Sequence, residues 1–189
     1  MAEIFSIVNQ KGGVGKTTTC INLSAALAKA KRRVLLIDLD PQSNATKGCG
    51  TELTEGSLTI NDLLLKRCSF DDVVLNLANF NFDIVPATPQ LTEAEVLLLS
   101  SDDKEFTLKK IVTEIAPGYD YLIIDCPPSL NILTVNALTG STGIIIPVQC
   151  EFFALQGLSE LVSTIDMIRQ SSNEKIEIKG IIRTMFDSR

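Results

Sequence analysis

The residues with the plainest chemistry stand in one run, Asn9-Gln-Lys-Gly-Gly-Val-Gly-Lys-Thr-Thr-Thr19. Glycines at 12, 13 and 15 let the backbone turn back through dihedrals closed to other residues, aiming consecutive N–H groups into one concavity. The run follows an apolar stretch and opens a helical one, so the helix N-terminus adds its partial positive charge. A polyphosphate fits such a place. Lys16 supplies a cation for the β- and γ-phosphates, and Thr17 a hydroxyl for Mg²⁺. The candidate phosphate-binding set is Lys11, Gly12, Gly13, Val14, Gly15, Lys16, Thr17 and Thr18. A glycine-rich turn with an incidental lysine would not combine strand, three glycines, Lys-Thr and helix in this order. The common pattern G-x-x-x-x-G-K-[ST] asks for glycine where this chain has Gln10, and a second lysine, Lys11, follows it. Lys11 is poorly placed to reach a γ-phosphate on its own loop, but could reach across an interface to a second nucleotide.

Carboxylates form the second constellation. Asp38 and Asp40 end an apolar run two residues apart, so they share a face where α/β sheets place ligands. Asp125 ends the run Tyr121–Ile124, as a Walker B carboxylate does, and would hold Mg²⁺ directly or through water opposite Thr17. Its alternative use is to cap the Pro127-Pro128 turn. Cys126 has no cysteine nearby in sequence and reads as a small packing residue, without the spacing of an iron–sulfur ligand.

These groups need a scaffold of strands ending at one edge. Short apolar runs alternating with helical patterns predict an α/β fold, a mostly parallel twisted sheet with helices on both faces. Expected strands are Ile4–Val8, Val34–Asp38, Asp83–Pro86, Tyr121–Asp125, Gly143–Val148 and Ile178–Met185. Expected helices run from Lys16 to Ala30, Gln90 to Leu99, Lys104 to Ile115 and Leu155 to Arg169, the last with Leu158, Leu161, Ile165 and Ile168 facing the sheet. Thr46–Ser57, rich in Gly, Thr and Ser, reads as a surface loop.

Composition narrows the class. The 189 residues are 45% hydrophobic and 21% charged, enough apolar material for one domain spanning 1–189 and too much for a disordered chain. No apolar stretch approaches the ~18–20 residues of a bilayer span, and the N-terminus lacks the features of a signal peptide. Five widely spaced cysteines without a C-x-x-C pair point to reduced thiols in a cytoplasmic protein. With no histidine, histidine general-base and metal chemistry are excluded. A net charge of −6 does not favour non-specific DNA binding unless a local patch supplies it. Lys31-Arg32-Arg33 could form one, but at a helix C-terminus it more simply complements the helix dipole.

Lys11-Gly-Gly-Val-Gly-Lys-Thr17 resembles the deviant Walker A box of the ParA/MinD superfamily of P-loop ATPases, with Lys11 as its signature lysine. Leu36-Ile-Asp-Leu-Asp-Pro-Gln42, Tyr121-Leu-Ile-Ile-Asp-Cys-Pro-Pro-Ser129 and Pro147-Val-Gln-Cys-Glu…Ala154-Leu-Gln-Gly157 narrow the likeness to the ParA (Soj-like) branch, from Ile4 to Arg189. The resemblance implies ATP and Mg²⁺ as ligands. Lys11, Lys16 and Asp40 would be the catalytic groups, Asp40 acting on the attacking water, and Asp38 would stand behind the metal ligands Thr17 and Asp125. It also implies an ATP-driven sandwich homodimer, non-specific DNA binding, and a ParB-type partner that stimulates hydrolysis in chromosome or plasmid partition. A nucleoid-associated cytoplasmic location and no membrane contact go with it. Family members usually continue beyond a segment like Arg183-Thr-Met-Phe-Asp-Ser-Arg189, so this chain is expected to lack the family's C-terminal part, with some of the adenine site and basic surface. Two alternatives stand beside this reading. One is a MinD-like division-positioning ATPase, which needs a C-terminal amphipathic helix. The other is a non-hydrolysing nucleotide-binding or interaction module.

Overall fold

The computed structural model describes residues 2–151 and 154–187, and the side chains of all of these except 154–156. Phe152 and Phe153, inside the segment quoted from Pro147 to Gly157, and Ser188 and Arg189, closing the last one, lie outside the described residues. In chain order the elements are β1 (Glu3–Ile7), α1 (Lys16–Lys29), β2 (Val34–Asp38), α2 (Asn44–Gly48), α3 (Ile60–Leu64), β3 (Leu75–Leu77), β4 (Phe82–Val85), α4 (Leu91–Leu98), α5 (Thr107–Ile115), β5 (Tyr121–Asp125), α6 (Ile132–Gly140), β6 (Gly143–Gln149), α7 (Ala154–Ser171) and β7 (Glu177–Thr184). The described strands form one sheet in the order β3-β4-β2-β5-β1-β6-β7. All neighbours are parallel except β3, which pairs antiparallel with β4 at the edge.

Central strands are covered on both faces, which is why they read as continuous apolar runs. Alternation then decides which face each side chain serves. Leu36 and Ile123 point to the side where Cys20 and Ala28 of α1 pack, while Leu35, Leu122 and Ile124 meet the opposite cluster. That second cluster holds Leu108 and Val112 of α5, Leu133 and Ala137 of α6, and Leu161, Ile165 and Ile168 of α7. The stripe on α7 is therefore sheet packing, as its spacing implied.

Six expected strands and four expected helices are present, two strands with the expected ends and the others with ends shifted by at most three residues. The segment expected as a loop from Thr46 is different: Asn44–Gly48 is a helical turn, and only the residues after it are irregular. Its side chains favour loops, but Thr46 is held by a buried carboxylate from another element, and tertiary bonds outweigh that local preference. α3, β3 and α6 were not foreseen. α6 is buried on nearly all sides, eight of its nine residues including Thr134, Asn136 and Thr139, so it shows no helical stripe.

The register places the site. Asp38 of β2 and Asp125 of β5 are paired positions at the C-terminal ends of neighbouring strands, and Ile7 of β1 pairs with Asp125 on its other side. The loop after β1 thus opens beside Asp125, with Asp38 one strand spacing (~4.8 Å) farther away. Leu122 is fully buried in β5 between these layers. Leu122→Ala is expected to lower unfolding free energy by about 2–5 kcal/mol, read from urea denaturation with an unchanged slope.

Candidate functional site

The loop from Asn9 to Gly15 bends through two left-handed glycines, Gly13 at φ 74° and Gly15 at φ 90°. A side chain at either would be strained. Around Gly12 and Gly13 nothing approaches within 4 Å of where a Cβ would stand, so the loop's inner wall is bare backbone. Asn9 anchors its base, its amide donating to Pro147 O at 2.7 Å while its Oδ1 accepts from Lys11 N at 2.9 Å. α1 begins at Lys16 with no side-chain cap on its first N–H groups, leaving these donors for a ligand.

The two lysines of the loop diverge. Lys16 is buried, and its ammonium donates to Lys11 O at 3.1 Å, folded along its own loop. Burial lowers its pKa, and the nearby carboxylates of Asp125 and Asp40 oppose that fall. Lys11 points the other way, to an ion pair with Glu151, and both side chains are about half exposed. Lys11 therefore presents its charge at the surface, away from the cradle behind it.

Asp38 and Asp125 are both fully buried. Asp38 Oδ2 accepts from Thr46 N at 2.8 Å and Thr46 Oγ1 at 2.7 Å, and its Oδ1 accepts from Asp40 N at 3.2 Å. Burial pushes its pKa up to about 6 against the pull of these bonds. Thr46 Oγ1 in turn accepts from Ala87 N at 2.9 Å, so Asp38 ties α2 and the segment after β4 to the end of β2. Asp125 is treated differently. Its Oδ1 accepts from the Cys20 thiol at 3.5 Å, while its Oδ2 is buried without a hydrogen-bond partner. Burial and then the Asp38 charge push Asp125 up to about 7, with Thr17 and Cys20 acting in the opposite direction. An orphaned buried carboxylate oxygen is costly unless a ligand uses it.

A crevice of about 560 Å³ joins these parts, with Gly12, Gly13, Lys16, Thr17, Asp40 and Met185 among its lining residues. Asp40 is only 5% exposed, and its Oδ1 accepts from Gln42 N at 2.9 Å. The structure thus brings the loop, Thr17, Asp40 and Asp125 together, sets Asp38 behind them, and turns Lys11 outward. Cys126 packs in the core as expected. Sequence reasoning did not find Cys20, whose hydrogen bond spans 105 positions, or Thr184, whose hydroxyl donates to Val14 O at 2.8 Å from the end of β7. No local pattern marks either one. Thr46 showed only as one of several polar residues in a supposed loop.

A family model described as an AAA domain matches residues 2–178. Similar relatives include the chromosome partitioning protein ParA of Myxococcus xanthus, 49% identical over 100% of this chain and 67% of its own length. The sporulation initiation inhibitor protein Soj of Bacillus subtilis is 46% identical over 100% of this chain and 75% of its own. Among solved structures, cobyrinic acid a,c-diamide synthase of Mycobacterium smegmatis with bound ATP analog and magnesium superposes with a TM-score of 0.95 at 35% identity. That likeness covers 100% of this chain and 77% of the other.

The raised pKa of Asp125 has a consequence for stability. The folded chain keeps this proton above pH 3.8, where an ordinary carboxyl has begun to release it, so stability falls as pH rises toward about 7. Asp125→Asn removes that penalty. Without nucleotide or metal the variant is expected to be more stable than the parent at pH 8 by about 2 kcal/mol. The two should converge only below pH ~4 in urea denaturation, where the parent carboxyl is neutral in the unfolded chain as well as in the folded one.

Proposed function

The chain belongs to the ParA/Soj family of partition P-loop ATPases, and on that premise we propose that it binds ATP with Mg²⁺ in the crevice around residues 11–18 and hydrolyses it as an ATP-driven dimer. The observation that carries this reading is the partnerless Asp125 Oδ2, buried beside a loop with an open backbone wall and uncapped helix donors. Among the described residues no group of three or more His, Cys, Asp or Glu could hold a metal ion, which suits a cation that arrives with phosphates and keeps few protein ligands. Thr17 and Asp125 fit that donor set. Asp38 has both oxygens engaged already, so its part is to hold α2 and the Asp40 backbone in place.

Bound magnesium would neutralise phosphate charge. The chain's own groups do the rest. The loop N–H groups and the first turn of α1 receive the phosphate oxygens, and Lys16 exchanges the Lys11 carbonyl for them. Asp40, at the crevice wall, accepts a hydrogen bond from the attacking water and aligns it. Lys11 leaves Glu151 and serves the nucleotide of a facing protomer, supplying in trans the positive charge that phosphoryl transfer needs. Dimer formation would then be the output, read by a ParB-type partner that stimulates hydrolysis. Contact with DNA belongs to the same reading and requires a local basic surface on a chain of net charge −6.

Size-exclusion chromatography with light scattering, with and without ATP and Mg²⁺, tests the proposal. A shift from monomer to dimer supports it, and an unchanged mass with no heat of ATP binding overturns it. Lys16→Ala is expected to weaken ATP binding. Lys11→Ala should bind ATP nearly as the parent does yet fail to dimerise, with turnover reduced ~10²–10³-fold. Asp40→Ala should hold the dimer while losing turnover, seen as a dimer peak that persists after ATP addition.

A further inference from the structure

We propose that Thr184 is a positioning residue for the phosphate loop, fixing the direction in which the Gly15 N–H points. The inference rests on the nucleotide-binding reading above and adds a residue from the far end of the chain. Thr184 closes β7, and its hydroxyl donates to Val14 O at 2.8 Å across 170 sequence positions. Its methyl group stands 3.4 Å from where a Gly15 Cβ would be, so the same side chain packs against the loop's second left-handed glycine. Other side chains of β7 are exposed, with only Gly180 and Thr184 partly covered. The strand's one polar tie into the loop is therefore also its most sheltered side chain.

The reason such a tie matters lies in peptide geometry. Val14 C=O and Gly15 N–H belong to one planar trans unit, so they point in opposite directions. That plane turns about ψ of Val14, which is 1% exposed, and φ of Gly15, and the glycine, at φ 90°, offers little steric resistance on its side. A rotated plane would turn a carbonyl oxygen into an anion cradle in place of a donor. The Thr184 hydroxyl holds the carbonyl on the rear of the loop and thereby keeps the N–H forward. Thr184 is not among the residues lining the crevice, whereas its neighbour Met185 is, so the chain passes behind the loop and then reaches its rim.

Three substitutions separate positioning from mere packing. Thr184→Val keeps the methyl and puts a second one in place of the hydroxyl donor, Thr184→Ser keeps the donor and removes the methyl, and Thr184→Ala removes both. Calorimetry with ATP and Mg²⁺, turnover kinetics and thermal unfolding are measured on each. Expected for Thr184→Val is an ATP affinity about tenfold weaker, the effect of losing one well-placed hydrogen bond, with KM raised in proportion and kcat within about twofold. Thr184→Ser is expected to recover most of that loss, and Thr184→Ala to resemble Thr184→Val. Equal ATP binding by Thr184→Val and the parent would overturn the tie. So would a Thr184→Ser variant as weak as Thr184→Val, or a loss of affinity that merely tracks a lowered unfolding temperature. A parent protein that gives no heat with ATP fails at the earlier step and overturns the nucleotide reading itself.

Discussion

Two carboxylates on paired positions of adjacent buried strands, Asp38 and Asp125, constrain everything around them. Burial in a water-poor layer raises the proton affinity of both, and the Asp38 charge raises that of Asp125 further. The molecule resolves the conflict by giving them different surroundings. Asp38 receives two bonds from Thr46 and one from the Asp40 backbone, which turns it into the anchor of α2. Asp125 accepts from the Cys20 thiol on one oxygen, feels the Thr17 hydroxyl, and keeps its other oxygen buried without a hydrogen-bond partner. One carboxylate is used up in holding the structure together, and the other is kept available for a ligand. Lys16 is the cation nearest to this pair, and it too is held in reserve on a backbone carbonyl.

The phosphate loop shows the same division of labour between its lysines. Lys16 is buried where desolvation strengthens its interaction with any anion that replaces water. Lys11, five positions earlier, is paired with Glu151 in a half-exposed ion pair of the kind that contributes little to stability. A weak surface pair is easily exchanged, which is what the proposed role of Lys11 at a facing protomer requires.

How much of this was legible in the sequence follows the distance over which each interaction acts. The loop, its glycines, its two lysines and the strand-terminal aspartates are local patterns, and each lies where its motif placed it. Strand runs were readable because burial on both faces leaves them uniformly apolar. α6 was hidden for the same reason in helical form, since a helix buried on every side carries no stripe. The turn of helix at Asn44–Gly48 was hidden because Thr46 answers to a carboxylate eight positions earlier and to Ala87 N on another segment. Nothing in the string marks Asp38 as structurally engaged and Asp125 as open, because that difference is made by Thr46 and Cys20 after folding.

Cys20 and Thr184 extend this lesson to function. Both act on the site through residues that had been identified, one on Asp125 and one on Val14, and both come from places where apolar or edge-strand roles would have sufficed. Thr184, the last residue of β7, holds the carbonyl whose direction decides whether the loop presents a donor or an acceptor to an anion. Gly15 has no side chain to resist a turned peptide, so on that side the direction of the plane is enforced from outside the loop. In this fold the enforcement comes from the end of β7, 170 positions along the chain from the carbonyl it holds.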